Sequence, residues 1–105
     1  MRRVQVIPDG EFRLYGAIVA KEVELTQRNR GTFHRSGAKE KNKAKWSHSS
    51  YPGWVRLARG MGEIVLIEVH SKKEGAEWQL LHAILGFLDR HFSGKIKSVH
   101  IHYDD

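Results

Sequence analysis

Between Gln27 and Trp54 the chain mixes cations with flat rings: Arg28, Arg30, Arg35, Lys39, Lys41, Lys43 and Lys45 against the single acid Glu40, interleaved with Phe33, His34, Trp46, His48, Tyr51 and Trp54. Cations neutralise phosphates and rings stack on bases. Backbone charge and the base π-face are the two features every single strand offers, so this pairing is chemistry for RNA or single-stranded DNA. The contact set it nominates is Arg28, Arg30, Phe33, His34, Arg35, Lys39, Lys41, Lys43, Lys45, Trp46 and Tyr51. The plainer alternative is a solvated loop whose rings pack back on a sheet edge, with Trp54 and Trp46 as core anchors. A structureless connection beyond roughly 15 residues is usually functional or disordered, which favours the binding reading.

Seven histidines invite metal and acid–base chemistry. On a strand, His100 and His102 share a face, a spacing that can converge on one ion. A third ligand would have to come from His70, His34, His48, Asp104 or Asp105, and two surface histidines are the commoner outcome, so no metal is expected. His34 and His48 could act as base and acid on RNA, but no phosphodiesterase signature accompanies them and a loop is a poor scaffold for such a pair. His82 and His91 fall on the helix described below and read as structural. Gly60-x-Gly62 lacks the third glycine of a dinucleotide loop, and no Walker, kinase or Gly-x-Ser-x-Gly pattern occurs. No cofactor and no catalytic residue is nominated, and binding is expected rather than catalysis.

The frame that must position these residues is short. The chain has 105 residues, 40% of them hydrophobic, with 18 Lys plus Arg against 12 Asp plus Glu and no cysteine. One domain spanning residues 1–105 is the default at this length, and aromatic content argues against disorder. Zero cysteine removes disulfides and thiolate-ligated metals, so packing must carry the fold and a cytoplasmic setting is expected. Charge returns at Asp9, Glu11 and Arg13 before any apolar run of signal length, so neither secretion nor membrane association is expected. The formal charge of +6 is uneven: residues 1–59 carry 13 basic and 5 acidic side chains, residues 60–105 carry 5 and 7.

Val4 to Ile7 reads as a strand ended by the Pro8-Asp9-Gly10 turn. Phe12 to Thr26 fits a bent strand, with apolar residues on even positions to Ile18 and odd ones from Val19, and it also fits a helix through residues 12, 15, 19 and 23; its Val and Ile content favours the strand. Residues 27–53 lose periodicity and read as the long basic loop. Trp54 to Leu57 is a strand, Arg59-Gly60-Met61-Gly62 a hairpin connection, and Glu63 to His70 a strand apolar enough to be covered on both faces.

Ser71-Lys72-Lys73-Glu74 matches a capping box, which predicts a helix from there to a left-handed stop at Gly94. Trp78, Leu81, Leu85, Leu88 and Phe92 form its expected core stripe. Lys95 to Tyr103 alternates as a last strand with one wet face. The predicted fold is α+β in the order β-β-β-β-α-β: a mixed, mostly antiparallel sheet with one long helix on one face, the final strand–helix–strand unit forming a right-handed crossover. A second apolar row, Leu80, Ile84 and Phe87, predicts a homodimer through that row or through the last strand's edge. The function expected is a small cytoplasmic nucleic-acid-binding domain, the alternative being an interaction module of antitoxin, immunity or assembly type that grips an acidic protein partner.

Overall fold

The computed structural model describes residues 1–103. Strand β1 (Arg2–Pro8) leads to helix α1 (Leu14–Gln27); then come β2 (Phe33–Arg35), β3 (Lys43–His48), β4 (Trp54–Arg59), β5 (Val65–His70), helix α2 (Ala76–Phe92) and β6 (Ile96–Tyr103). The six strands form one sheet in the order β2-β3-β4-β5-β1-β6, and every neighbouring pair is antiparallel. The expected α+β class is observed, but the sheet is antiparallel throughout rather than mixed. β5 and β6 run in the same direction on either side of α2, yet β1 lies between them and pairs with both.

The segment read as a bent strand, Phe12 to Thr26, is α1. Its buried stripe is Leu14, Tyr15, Ile18 and Glu22, a spacing of three and four that neither strand parity could satisfy without a bulge. The Val and Ile content misled because the helical register is set by the sheet face beneath it, and Leu14, Ala17, Ala20, Lys21, Glu22 and Glu24 are good helix formers. Lys21 and Arg28 reach Glu24 at 3.3 and 3.8 Å from adjacent turns. The helix ends where Asn29 adopts a positive φ of 55° and the Arg30 amide returns to the Leu25 carbonyl at 2.7 Å.

A second correction concerns residues 27–53, which hold β2 and β3 rather than one continuous loop. Lys43-Ala44-Lys45-Trp46 alternates exposed and buried, so the basic run is the wet face of a strand whose other face is core. The same alternation corrects β5: Val65, Ile67 and Val69 are buried, but Leu66 is 41% exposed, so that strand is covered on one face only.

Both helices lie on one side of the sheet. Val4, Val6, Trp46, Val55, Leu57, Val65, Ile67 and Val69 meet Leu14, Tyr15 and Ile18 of α1 and Leu80, Leu81, Ile84, Phe87, Leu88 and Phe92 of α2 in a single apolar cluster. The expected stripe on α2 holds at Leu81, Leu88 and Phe92, but the buried band is shifted and wider: Leu80, Ile84 and Phe87 are also inside, Leu85 is half-buried, and Trp78 is 52% exposed. The row proposed to hold a dimer together is therefore part of the core, and among the described residues β6 is a sheet edge paired to β1 alone. The helix also starts later than the capping box implies. Ser71 Oγ accepts from the Lys73 amide at 3.2 Å, closing a short turn, and Gly75 at φ 84° precedes Ala76 without a side-chain cap. At the far end Ser93 stays right-handed and a 3-10 turn over Ser93–Lys95 runs into β6, so Gly94 supplies no left-handed stop. No helix among the described residues is long and apolar enough to cross a membrane.

Gly53 is obligatory at the entrance to β4. Its φ is 111°, and a Cβ there would drive into the His70 carbonyl oxygen and come within 2.9 Å of Leu80 Cδ1. That tight approach seats the start of β4 against the end of β5, which brings Trp54 opposite His70.

Candidate nucleic-acid interface

The face of the sheet that no helix covers carries the exposed half of each strand's alternation. Its cross-strand register aligns one row as Lys45, Arg56, Glu68, Arg3 and His102, and the next as Lys43, Ala58, Leu66, Gln5 and His100. Two cations, Lys45 and Arg56, are direct neighbours at the β3–β4 end of the first row. Glu68 sits on the other side of Arg56, but its carboxylate engages the His70 imidazole at 2.9 Å. Lys39, Lys41, Lys43, Lys45 and Arg56 form no ion pair among the described residues. Trp54 lies on this face, stacked on His70 at 5.1 Å and 14° with the Lys45 ammonium 4.9 Å from its centroid.

Lys43 borders a second feature. A cleft of about 500 Å³ opens between α1 and the β2–β3 hairpin, walled by Val19 and Val23 on the helix side and by Arg35, Lys39, Glu40 and Lys43 on the hairpin side. Into it runs a short polar chain from α1 to β2. Glu22, only 4% exposed, accepts the Thr26 hydroxyl at 2.6 Å, and the same hydroxyl lies 3.0 Å from His34 Nδ1. The spacing of four places Glu22 and Thr26 one above the other on α1, and the turn after Asn29 folds β2 back to deliver His34.

The nominated residues thus divide among different environments. Phe33 and Trp46 are 4% and 0% exposed; they pack on each other at 5.9 Å and edge-on to Phe87 at 6.3 and 5.4 Å, so these two rings belong to the core and offer no face for a base. Tyr51 is half-buried and stacks on His48 at 4.6 Å and 19°, on the connection between β3 and β4. Arg28 and Arg30 are exposed on the turn between α1 and β2, and Lys39 and Lys41 are exposed on the hairpin connection. His34, Arg35, Lys39 and Lys43 line the cleft, and Lys45 lies on the open face.

His34 and His48 do not pair as acid and base, because the β2–β3 register sets Phe33 opposite His48 and His34 opposite Ser47. Burial lowers the His48 pKa, with the His34 charge adding to the shift, and its Nδ1 accepts the Ser50 amide at 3.0 Å. His100 and His102 share the open face of β6, where His100 contacts Ser98 at 3.2 Å. No three His, Asp or Glu side chains among the described residues converge as metal ligands, and the candidate third ligands Asp104 and Asp105 lie outside those residues.

Sequence reasoning passed over Arg56, Glu22 and Thr26, and it left Trp54, half-buried on the open face, out of the contact set. Arg56 had a legible signal in the Trp54-Val55-Arg56-Leu57 alternation, which puts it on the wet face with Trp54. Its neighbour across the ladder had none, since register is a property of paired strands. No protein-family model, no curated protein and no solved structure matches the chain.

Proposed function

We propose that this domain binds single-stranded nucleic acid along a path from Trp54 across Lys45 and Arg56 to Lys43 and the hairpin cations Lys39, Lys41 and Arg35. The observation that carries the reading is Lys45 directly opposite Arg56 on an otherwise solvated face. Like charges in that position cost roughly 0.2–1 kcal/mol of sheet stability. A phosphate backbone laid across the ladder would offset the repulsion, while Trp54 supplies a stacking surface beside it. The geometry suits an open strand better than a duplex, because α2 turns its apolar face inward and carries one cation besides histidine, Arg90, so it is ill-equipped to read a major groove.

The test is a titration of the protein against RNA, single-stranded DNA and duplex DNA of matched length at two salt concentrations. Single strands should bind more tightly than duplex. Replacing Lys43, Lys45 and Arg56 together by Ala should weaken binding and flatten the log–log salt slope by about 0.7 per lost phosphate contact. A parent protein that binds none of the three at low salt, or a triple variant that binds as well as the parent, overturns the proposal.

A further inference from the structure

We infer that the cleft between α1 and the β2–β3 hairpin selects ribose over deoxyribose, with His34 Nε2 accepting a hydrogen bond from a 2′-hydroxyl; this rests on the single-strand reading above. A hydroxyl has one hydrogen to give. With Glu22 ionised, the Thr26 hydrogen goes to that carboxylate at 2.6 Å, because the carboxylate can only accept. The Thr26 oxygen, 3.0 Å from His34 Nδ1, must then receive the ring's N–H. In the neutral imidazole the proton is thereby held on Nδ1 and the lone pair is left on Nε2, a nitrogen that makes no hydrogen bond among the described residues.

His34 is therefore held as an acceptor at the wall of a cleft, and the occupant must bring a donor. Arg35, Lys39 and Lys43 around the same cleft outnumber its two carboxylates, Glu22 and Glu40, and favour an occupant that also carries negative charge. Along a nucleic-acid backbone the phosphates and ring oxygens only accept, and the 2′-hydroxyl is the one donor, present in RNA and missing from DNA. The burial of Glu22 gains a reason from this arrangement. A carboxylate taken out of water without an ion pair among the described residues is costly, and here it orders the hydroxyl that orders the imidazole.

The test uses three oligonucleotides of identical base sequence: RNA, its 2′-deoxy counterpart, and 2′-O-methyl RNA, which keeps the oxygen but loses the donor hydrogen. The parent protein should bind RNA about five- to tenfold more tightly than either analogue, the size of one well-made hydrogen bond. Thr26→Val keeps the side-chain volume but frees the imidazole to place its proton on Nε2, and His34→Ala removes the acceptor; both should bind all three strands with equal affinity. Circular dichroism of the variants separates loss of selection from loss of fold, and His34, half-exposed, gives a variant that leaves the core intact. Equal binding of RNA and 2′-O-methyl RNA by the parent, or a preference retained in both variants, overturns the inference. Equal, salt-sensitive binding of all three by the parent does so while leaving the single-strand reading standing, whereas a parent that binds none of them removes both.

Discussion

Successive residues of β3 meet opposite fates. Ala44 and Trp46 face the helices and are buried, while Lys43 and Lys45 face water on a surface that no helix covers. The two faces obey different rules: inside, shape and volume decide energy, and a missing ring leaves a cavity; outside, charge placement changes stability little and leaves room for a ligand to set the pattern. The comparison teaches that a basic, aromatic stretch can serve both rules at once, because a strand sorts its residues by parity rather than by neighbourhood.

The comparison breaks most sharply at Trp46. Trp46→Ala should cost about 3–5 kcal/mol and appear as a large drop in the denaturant midpoint, with Phe33 and Phe87 losing their neighbour. An unaffected midpoint would place that ring outside the core. Next comes α2, where Leu81→Ala should cost about 2–5 kcal/mol and Leu85→Ala, half-buried, distinctly less; equal losses at the two sites would show that the buried stripe has been misplaced.

Gly53→Ala should cost about 1–3 kcal/mol or more, because the residue must hold φ 111° against the His70 carbonyl and Leu80. A thermal melt matching the parent would mean the loop relaxes around the methyl group. A smaller effect is expected from pH. The His48 and His91 pKa values are both lowered from 6.5, chiefly by burial, so the unfolded chain binds protons before the folded one does. Their contribution is fully present above pH 6.5, is lost progressively as pH falls below it, and stops falling once the folded state titrates too. Chemical denaturation across that range should show the decline, and His48→Asn should reduce it; a variant with the parent's full pH dependence would exclude His48 as a source.

The smallest stability effect belongs to the wet face. Replacing Lys43, Lys45 and Arg56 by Ala should move stability by no more than about 0.5 kcal/mol, with a slight gain where the opposed charges are removed. A loss comparable to that of Trp46→Ala would mean that these stems hold the sheet together and that the division between the two faces is false.

Several parts of the fold were legible from local pattern alone. β1, β4, β5 and β6 follow runs or alternation that only a strand can satisfy, the hairpin connection after Arg59 appears where its glycines predict a turn, and most of α2 follows its repeat of three and four. α1 was not legible, because its apolar residues fit both periods and the choice depended on whether a sheet face was waiting for it. The expected stripe on α2 is right at Leu81, Leu88 and Phe92 and wrong at Trp78 and Leu85, because two apolar rows run along that helix and the core takes in parts of both. Local spacing cannot say that the apolar core takes in Leu80, Ile84 and Phe87 while leaving Trp78 outside. The candidate site was half legible: its cations were visible as a cluster, but their division between open face and cleft was not.

The sequence by itself determined the α+β class, the charge of the segment between Gln27 and Trp46, and the positions of its rings, since these depend on composition and short-range period. Tertiary structure decided which rings that segment keeps inside. It also decided that Lys45 stands opposite Arg56, and that Glu22, Thr26 and His34 meet at one cleft. Those outcomes depend on strand register and on where α1 lies over the hairpin, and both are settled by burying apolar surface drawn from the whole chain at once.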